Sequence, residues 1–189
     1  MAPVTFDQVD DLIRSRRSSL RIDPERPVNP ELIERLCELA TWAPNHKRTS
    51  PWRFAVLTNG ARTRLGEVVA DALVRSGATD SQALQKALTK YLRAPVIVIV
   101  GSARNDDPVL DGENRDAVAA GVQTLLLAAS TSGLSTFWST GATARIDEVK
   151  ELAGFERDEQ IVAVIYMGWP DGEAPPGRRE PARINWLNA

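Results

Sequence analysis

The five residues Val96–Val100, Val-Ile-Val-Ile-Val, leave the chain little freedom. They are β-branched and apolar at every position, so a strand built from them has no face to give to water. Such a strand belongs in the middle of a sheet, with helices packed on both sides. Residues 117–130 make a matching demand in helical form. Ala117, Val118, Ala119, Ala120, Val122, Leu125, Leu126, Leu127, Ala128 and Ala129 run round the whole axis, the pattern of a helix buried on most sides. Its small residues Ala119, Ala120 and Gly121 permit the close approach of a second helix or a second subunit.

The remaining segments supply layers for that sheet. Thr5 and Gln8 have the spacing of a capping box, and Phe6, Val9 and Ile13 share one face of a helix predicted from Phe6 to about Arg16. Asn29-Pro30-Glu31 starts a second helix, with Ile33, Leu36, Leu39, Ala40 and Ala43 as its buried stripe and Pro44 as its stop. Trp52–Leu57 alternates as a strand that turns at Asn59-Gly60. Leu65 to Leu73 marks a third helix closed near Gly77, and Asp80 or Ser81 caps a fourth that reaches Leu92. After a polar loop over Gly101–Pro108 comes the apolar helix, stopped at Gly133. Ser135–Trp138 and Ile161–Met167 read as strands, with a modest helix from Thr143 to Leu152 between them. The tail 168–189 is rich in Pro, Gly and Arg and is expected to be extended. With 189 residues, no repeat and no linker, the expectation is one domain over 1–189, of α/β or α+β class.

Composition narrows the function by exclusion. A net charge of -2 gives no global reason to bind nucleic acid or an anionic membrane. The N-terminus lacks the basic start and apolar core of a signal peptide, and no apolar run is long enough to span a bilayer, so a cytoplasmic protein is expected. Cys37 is the only cysteine and His46 the only histidine, which excludes an intrachain disulfide and a His/Cys metal site. The glycine patterns of dinucleotide and P-loop sites do not occur, nor does G-x-S-x-G.

Cations beside core elements remain. Arg16, Arg17, Ser18 and Arg21 follow the first helix, and guanidinium forks with a hydroxyl suit a phosphate monoester. A solvated basic surface, a phosphorylation target and an RNA contact are the other readings of that run. His46-Lys47-Arg48 lies in a loop, Ala40–Phe54, that also holds Trp42 and Trp52. Its readings are a ligand site, acid–base chemistry at His46, or a plain surface loop. Trp138-Ser139-Thr140-Gly141 ends a strand on small residues whose backbone N–H groups a planar ring can approach. Arg178, Arg179 and Arg183 lie in the tail, where solvation alone explains them.

Taken in order, these pieces resemble the nitroreductase family of FMN-dependent oxidoreductases, and its small single-domain NAD(P)H subgroup most of all. The likeness rests on Arg16-Arg17-Ser18, on Ala43-Pro44-x-His46-Lys47 leading into Pro51-Trp52-Arg53-Phe54, on Arg93-Ala94-Pro95 before the Val96 strand, and on Gly133-Leu134 leading to Trp138-x-Thr140-Gly141. Ser50 departs from the Gln that often precedes Pro-Trp, and Trp42 stands where similar small members often have a basic side chain.

The resemblance implies an α+β fold, a three-layer α/β/α sandwich around a mostly antiparallel sheet, in an interlocked homodimer with FMN at its interface. It implies cofactor-binding roles for Arg16, Arg17, Ser18, Trp42, His46, Trp138, Ser139, Thr140 and Arg179, with Arg178 and Arg183 as alternatives in the tail. Lys90 joins Arg16 and Arg17 as a candidate to stabilise charge on the ring, and Ala128–Gly133 matches a stretch tied to nicotinamide binding. No residue is expected to act as catalytic acid or base, and no metal is implied. The implied activity passes electrons from NAD(P)H through FMN to a nitroaromatic, quinone or similar acceptor by a ping-pong mechanism. A flavin-binding protein without turnover, ene reduction and dehalogenation are the alternatives on the same scaffold.

Overall fold

A computed structural model describes residues 3–187. Six α-helices and four strands follow one another as α1 (Phe6–Ser15), α2 (Pro30–Ala40), β1 (Trp52–Thr58), α3 (Gly60–Arg75), α4 (Ser81–Thr89), β2 (Val96–Ser102), α5 (Pro108–Thr131), β3 (Ser135–Ser139), α6 (Asp147–Ala153) and β4 (Gln160–Gly168). The sheet is antiparallel throughout, in the order β1-β2-β4-β3.

The alternation within β2 builds the three layers. Every residue of β2 is buried. Val96, Val98 and Val100 point into a core shared with Ile33 and Leu36 of α2 and Val118, Val122 and Leu125 of α5. Ile97 and Ile99 point the other way, onto Leu65 and Val69 of α3, Tyr91, and Val149 of α6. Successive strand residues face opposite sides, so one five-residue run anchors two cores. Each such side chain contributes about 1.5–3 kcal/mol on burial. A register shift at Val100/Gly101 lets β4 present Val162 and Ala163 to the same core while Ile161 faces the other.

Local signals set most boundaries. Thr5 and Gln8 form the capping box of α1, Asn29 caps α2 with Pro30 behind it, and Asp80 caps α4. Four boundaries differ from expectation. The fourth helix ends at Thr89 and a 3₁₀ turn, Lys90–Arg93, takes over before Leu92. The second helix stops at Ala40, four residues before Pro44, because Thr41 to Ala43 turn back onto the carbonyls of Glu38, Leu39 and Ala40. The segment 143–152 splits into a 3₁₀ turn, Ala142–Arg145, and α6. The apolar helix is 24 residues long and starts at Pro108, nine residues before Ala117. Asp107 accepts from the Val109 N–H there, the same cap-plus-proline device that opens α2. Its first turns carry charged and polar side chains, so an apolar count passes over them.

The stripe on α1 does occupy one face, yet Phe6, Val9 and Ile13 stand exposed on the single chain, Phe6 at 81%. Among the described residues no helix is long and apolar enough to cross a membrane. Cys37 is largely buried on α2, and burial with Glu34 nearby pushes its thiol up to about 11. A raised folded pKa favours the thiol over the thiolate, so stability contributed there is lost as pH rises from the unfolded thiol's range toward 11. Aromatic disulfide reagents at pH 8 are expected to label native Cys37 at least about tenfold more slowly than the denatured chain. Equal rates would show that α2 leaves the thiol open.

Candidate functional site

Helix α1 delivers a run of arginines to the edge of the sheet. Arg16 leaves the helix in an extended conformation, its N–H still bonded to the Leu12 carbonyl. Ser18 then pairs with Thr136 of β3, and the Ser19 N–H donates to the Thr136 carbonyl at 2.9 Å. The basic run therefore lies along the outer strand rather than free in solvent. Arg17 Nη1 donates to the carbonyls of Arg14 and Arg16, which spends one nitrogen on holding the turn.

Arg16 is different. Its Nη1 is buried and has no hydrogen-bond partner among the described residues. Burial, with Arg179 and Arg17 close by, draws its pKa below the ordinary guanidinium value. The three arginines line a cavity of about 750 Å³ with Asp10, Ile13, Arg14, Gln123 of α5 and Gly177. Asp10 offers little compensation, because Arg14 holds it at 2.7–2.8 Å. A second, smaller cavity shares Arg16 and Arg17 and runs on past Ser130, Leu134 and Thr136. The tail closes one wall. A Cβ on Gly177 would lie 2.4 Å from Arg17 Cζ, so a larger residue there would push the Arg17 guanidinium aside. Clustered guanidiniums with an unsatisfied buried donor are stabilised by an anion, and a phosphate's oxygens match their forks.

The loop after α2 is a separate construction. Lys47, Arg48 and Ser50 all have positive φ, near 50–60°, which side chains other than glycine adopt at a cost. Asn45 ties the loop together. Its side chain donates to Thr49 Oγ1 at 3.0 Å and accepts from the Ser50 N–H at 3.0 Å. Helix α5 supplies the outside anchors, with Asn114, only 2% exposed, meeting Thr49, and Glu113 meeting His46 Nδ1 at 2.6 Å. Trp42 projects from the base of this loop and is 79% exposed.

Within one chain these two groups are apart. Glu113 and Gln123 are ten residues apart on α5, about 15 Å along the axis. The sequence candidates therefore divide. Arg16, Arg17, Ser18 and Arg179 gather where α1 and the tail meet β3. Trp138 and Ser139 continue β3 from that junction, Trp138 packed partly into the α5-side core, and Thr140 follows, exposed. Trp42 and His46 sit at the other end of α5. Arg178 contributes its carbonyl to Arg179 Nη1 at 2.7 Å. Lys90 lies elsewhere, its Nζ 3.3 Å from Thr143 Oγ1 and 4.8 Å from the Tyr91 ring centre, and burial lowers its pKa. Glu113, Asn114, Gln123 and Gly177 escaped the sequence reading. The Asp107-Pro108 helix start was the available signal for the first two, because it places them on α5.

The one cysteine is held as a thiol, and burial likewise raises Tyr91 and Tyr166, the latter to about 12. No group of three or more His, Cys, Asp or Glu among the described residues is placed to hold a metal ion.

The model of the nitroreductase family matches residues 13–169. YdjA of Escherichia coli K12, which bears an NAD(P)H nitroreductase name, is 28% identical over 87% of this chain and 89% of its own length. A nitroreductase-like family protein from Bacillus cereus superposes with a TM-score of 0.78 at 25% identity, covering 95% of each chain. A Bacteroides fragilis nitroreductase solved with bound FMN gives 0.75 at 19% identity, over 96% of this chain and 99% of its own.

Proposed function

This chain belongs to the nitroreductase family, and from that footing we propose that it is an FMN-dependent oxidoreductase acting between NAD(P)H and a small electrophilic acceptor. Nitroaromatics and quinones are the acceptor classes we assign. The observation that carries the reading is the cavity where Arg16, Arg17 and Arg179 converge around a buried, unpartnered guanidinium nitrogen. FMN ends in a phosphate monoester, and that donor set fits it: two or more guanidiniums within reach of one pocket, and an Asp10 already neutralised by Arg14.

When bound, FMN supplies the electron-carrying chemistry that no side chain here possesses. The residues do the rest. Arg16, Arg17 and Arg179 hold the phosphate, while the hydroxyl of Ser18 lies next in the chain along β3. Trp138, Ser139 and Thr140 offer extended backbone at the end of the same strand, and Gly141, with φ of 53° and open space at its Cβ position, lets a planar ring come close. Trp42 and His46 wall the acceptor side from a second copy of the chain. The roughly 15 Å between the two groups within one chain, and the uncovered apolar stripe of α1, favour that arrangement. We assign no acid or base, because an open site takes protons from solvent.

The test is direct. The purified protein is expected to be yellow, to run as a dimer, and to oxidise NADH or NADPH when a quinone is added. A colourless protein that leaves added FMN free in solution would remove the proposal.

A further inference from the structure

We propose that Glu113 is a positioning residue for His46: it holds the ring by Nδ1 and so makes Nε2 the nitrogen presented to a ligand. The inference rests on the flavin reading only for the identity of that ligand.

His46 Nδ1 lies 2.6 Å from Glu113 Oε2. An ionised carboxylate only accepts, so Nδ1 must carry the proton. The two ring nitrogens are then no longer equivalent. Nδ1 is occupied, and Nε2 is an acceptor on the neutral ring or a donor on the cation. Left without a partner, the ring is free to carry its proton on Nε2 instead and to turn about its side-chain bonds.

The surroundings indicate that this contact is built rather than casual. Its two ends come from distant parts of the chain, 67 residues apart. The next residue of α5, the buried Asn114, clamps Thr49 of the same loop and donates to the Ala103 carbonyl at 3.5 Å. Adjacent positions on one rigid helix thus hold a loop in which Lys47, Arg48 and Ser50 have left-handed backbone. Asn114 fixes the loop's path and Glu113 fixes the one imidazole on it. Sites placed by a rigid element in this way lose less freedom when a ligand binds.

The chain's single histidine makes the test clean, because a nitrogen-15 imidazole spectrum contains one ring. On the neutral ring of the flavin-free wild type, the proton is expected on Nδ1. Glu113→Ala moves it to Nε2, and Glu113→Gln, whose amide oxygen still accepts, keeps it on Nδ1. FMN titrated by its fluorescence is expected to bind Glu113→Ala about threefold to tenfold more weakly than wild type, with Glu113→Gln nearer wild type. Glu113 is partly exposed on α5, and far-UV dichroism confirms that both variants fold. A wild-type proton on Nε2, or an Ala variant with unchanged tautomer and unchanged FMN affinity, overturns the assignment. Should wild type bind no FMN at all, the flavin reading fails and the tautomer alone decides the role of Glu113.

Discussion

Arg16→Ala lowers FMN affinity by about tenfold to a hundredfold and leaves the flavin-free chain as stable as wild type, or slightly more so. The first half follows from the strength of a charge-assisted hydrogen bond, about 1.5–3 kcal/mol when partly desolvated. At 1.4 kcal/mol per power of ten, that is one to two decades in Kd. The second half follows from the buried Nη1, which has no partner among the described residues. An unmet buried donor costs about 1–3 kcal/mol, and truncation removes that cost along with some packing. Arg17→Ala should behave otherwise. Its Nη1 bonds to the Arg14 and Arg16 carbonyls hold the turn, so affinity and stability fall together. Fluorescence titration and thermal melts without flavin separate the two cases. An Arg16→Ala protein that binds FMN as tightly as wild type would return the cavity to plain surface charge.

Gly121→Val is expected to cost roughly 1–3 kcal/mol or more, lowering Tm by about 3–12 °C at fixed protein concentration. A Cβ at this position would lie 2.5 Å from the Ala40 carbonyl oxygen and 2.7 Å from Trp52 Nε1. The first neighbour is backbone, which cannot swing aside as a long side chain can. Relief would require α2 to move off α5, and with it the loop that starts at Thr41. Trp52 Nε1 is itself buried with no hydrogen-bond partner among the described residues, so this junction tolerates little further disturbance. Differential scanning calorimetry on both proteins measures the effect. A variant that melts within about 1 °C of wild type would show that the α2–α5 contact is loose.

Much of the fold was legible because its signals are local. Val96–Val100 alternates between two cores, and nothing beyond β-branching and parity is needed to see that it is central. Thr5/Gln8, Asn29-Pro30 and Asp80 announce helix starts through side chains that reach only two or three residues. The length of α5 was not legible from apolar content. Its first turns spend Asp111, Glu113 and Asn114 on polar contacts to Arg104, His46 and Thr49. The antiparallel order β1-β2-β4-β3 was likewise out of reach of the residues alone, since pairing partners are chosen over long separations. The family resemblance implied only that the sheet is mostly antiparallel, and the order itself came from the structure.

Family and layer architecture are therefore what the sequence by itself determined: ordered motifs at Arg16-Arg17-Ser18, Pro44 to Phe54, Arg93-Ala94-Pro95 and Trp138 to Gly141, on a pattern of apolar periods that admits few folds. The grouping of the charges was a tertiary decision. The resemblance named Arg16, Arg17 and His46 as cofactor contacts, His46 from across a dimer, and left the tail arginine open; folding puts Arg16, Arg17 and Arg179 around one cavity and sends His46 to Glu113 at the other end of α5. The physical reason is reach. Capping and amphipathicity act over a few residues and can be read in place, but a guanidinium's partner, or its lack of one, depends on which distant segment the sheet and helices bring beside it.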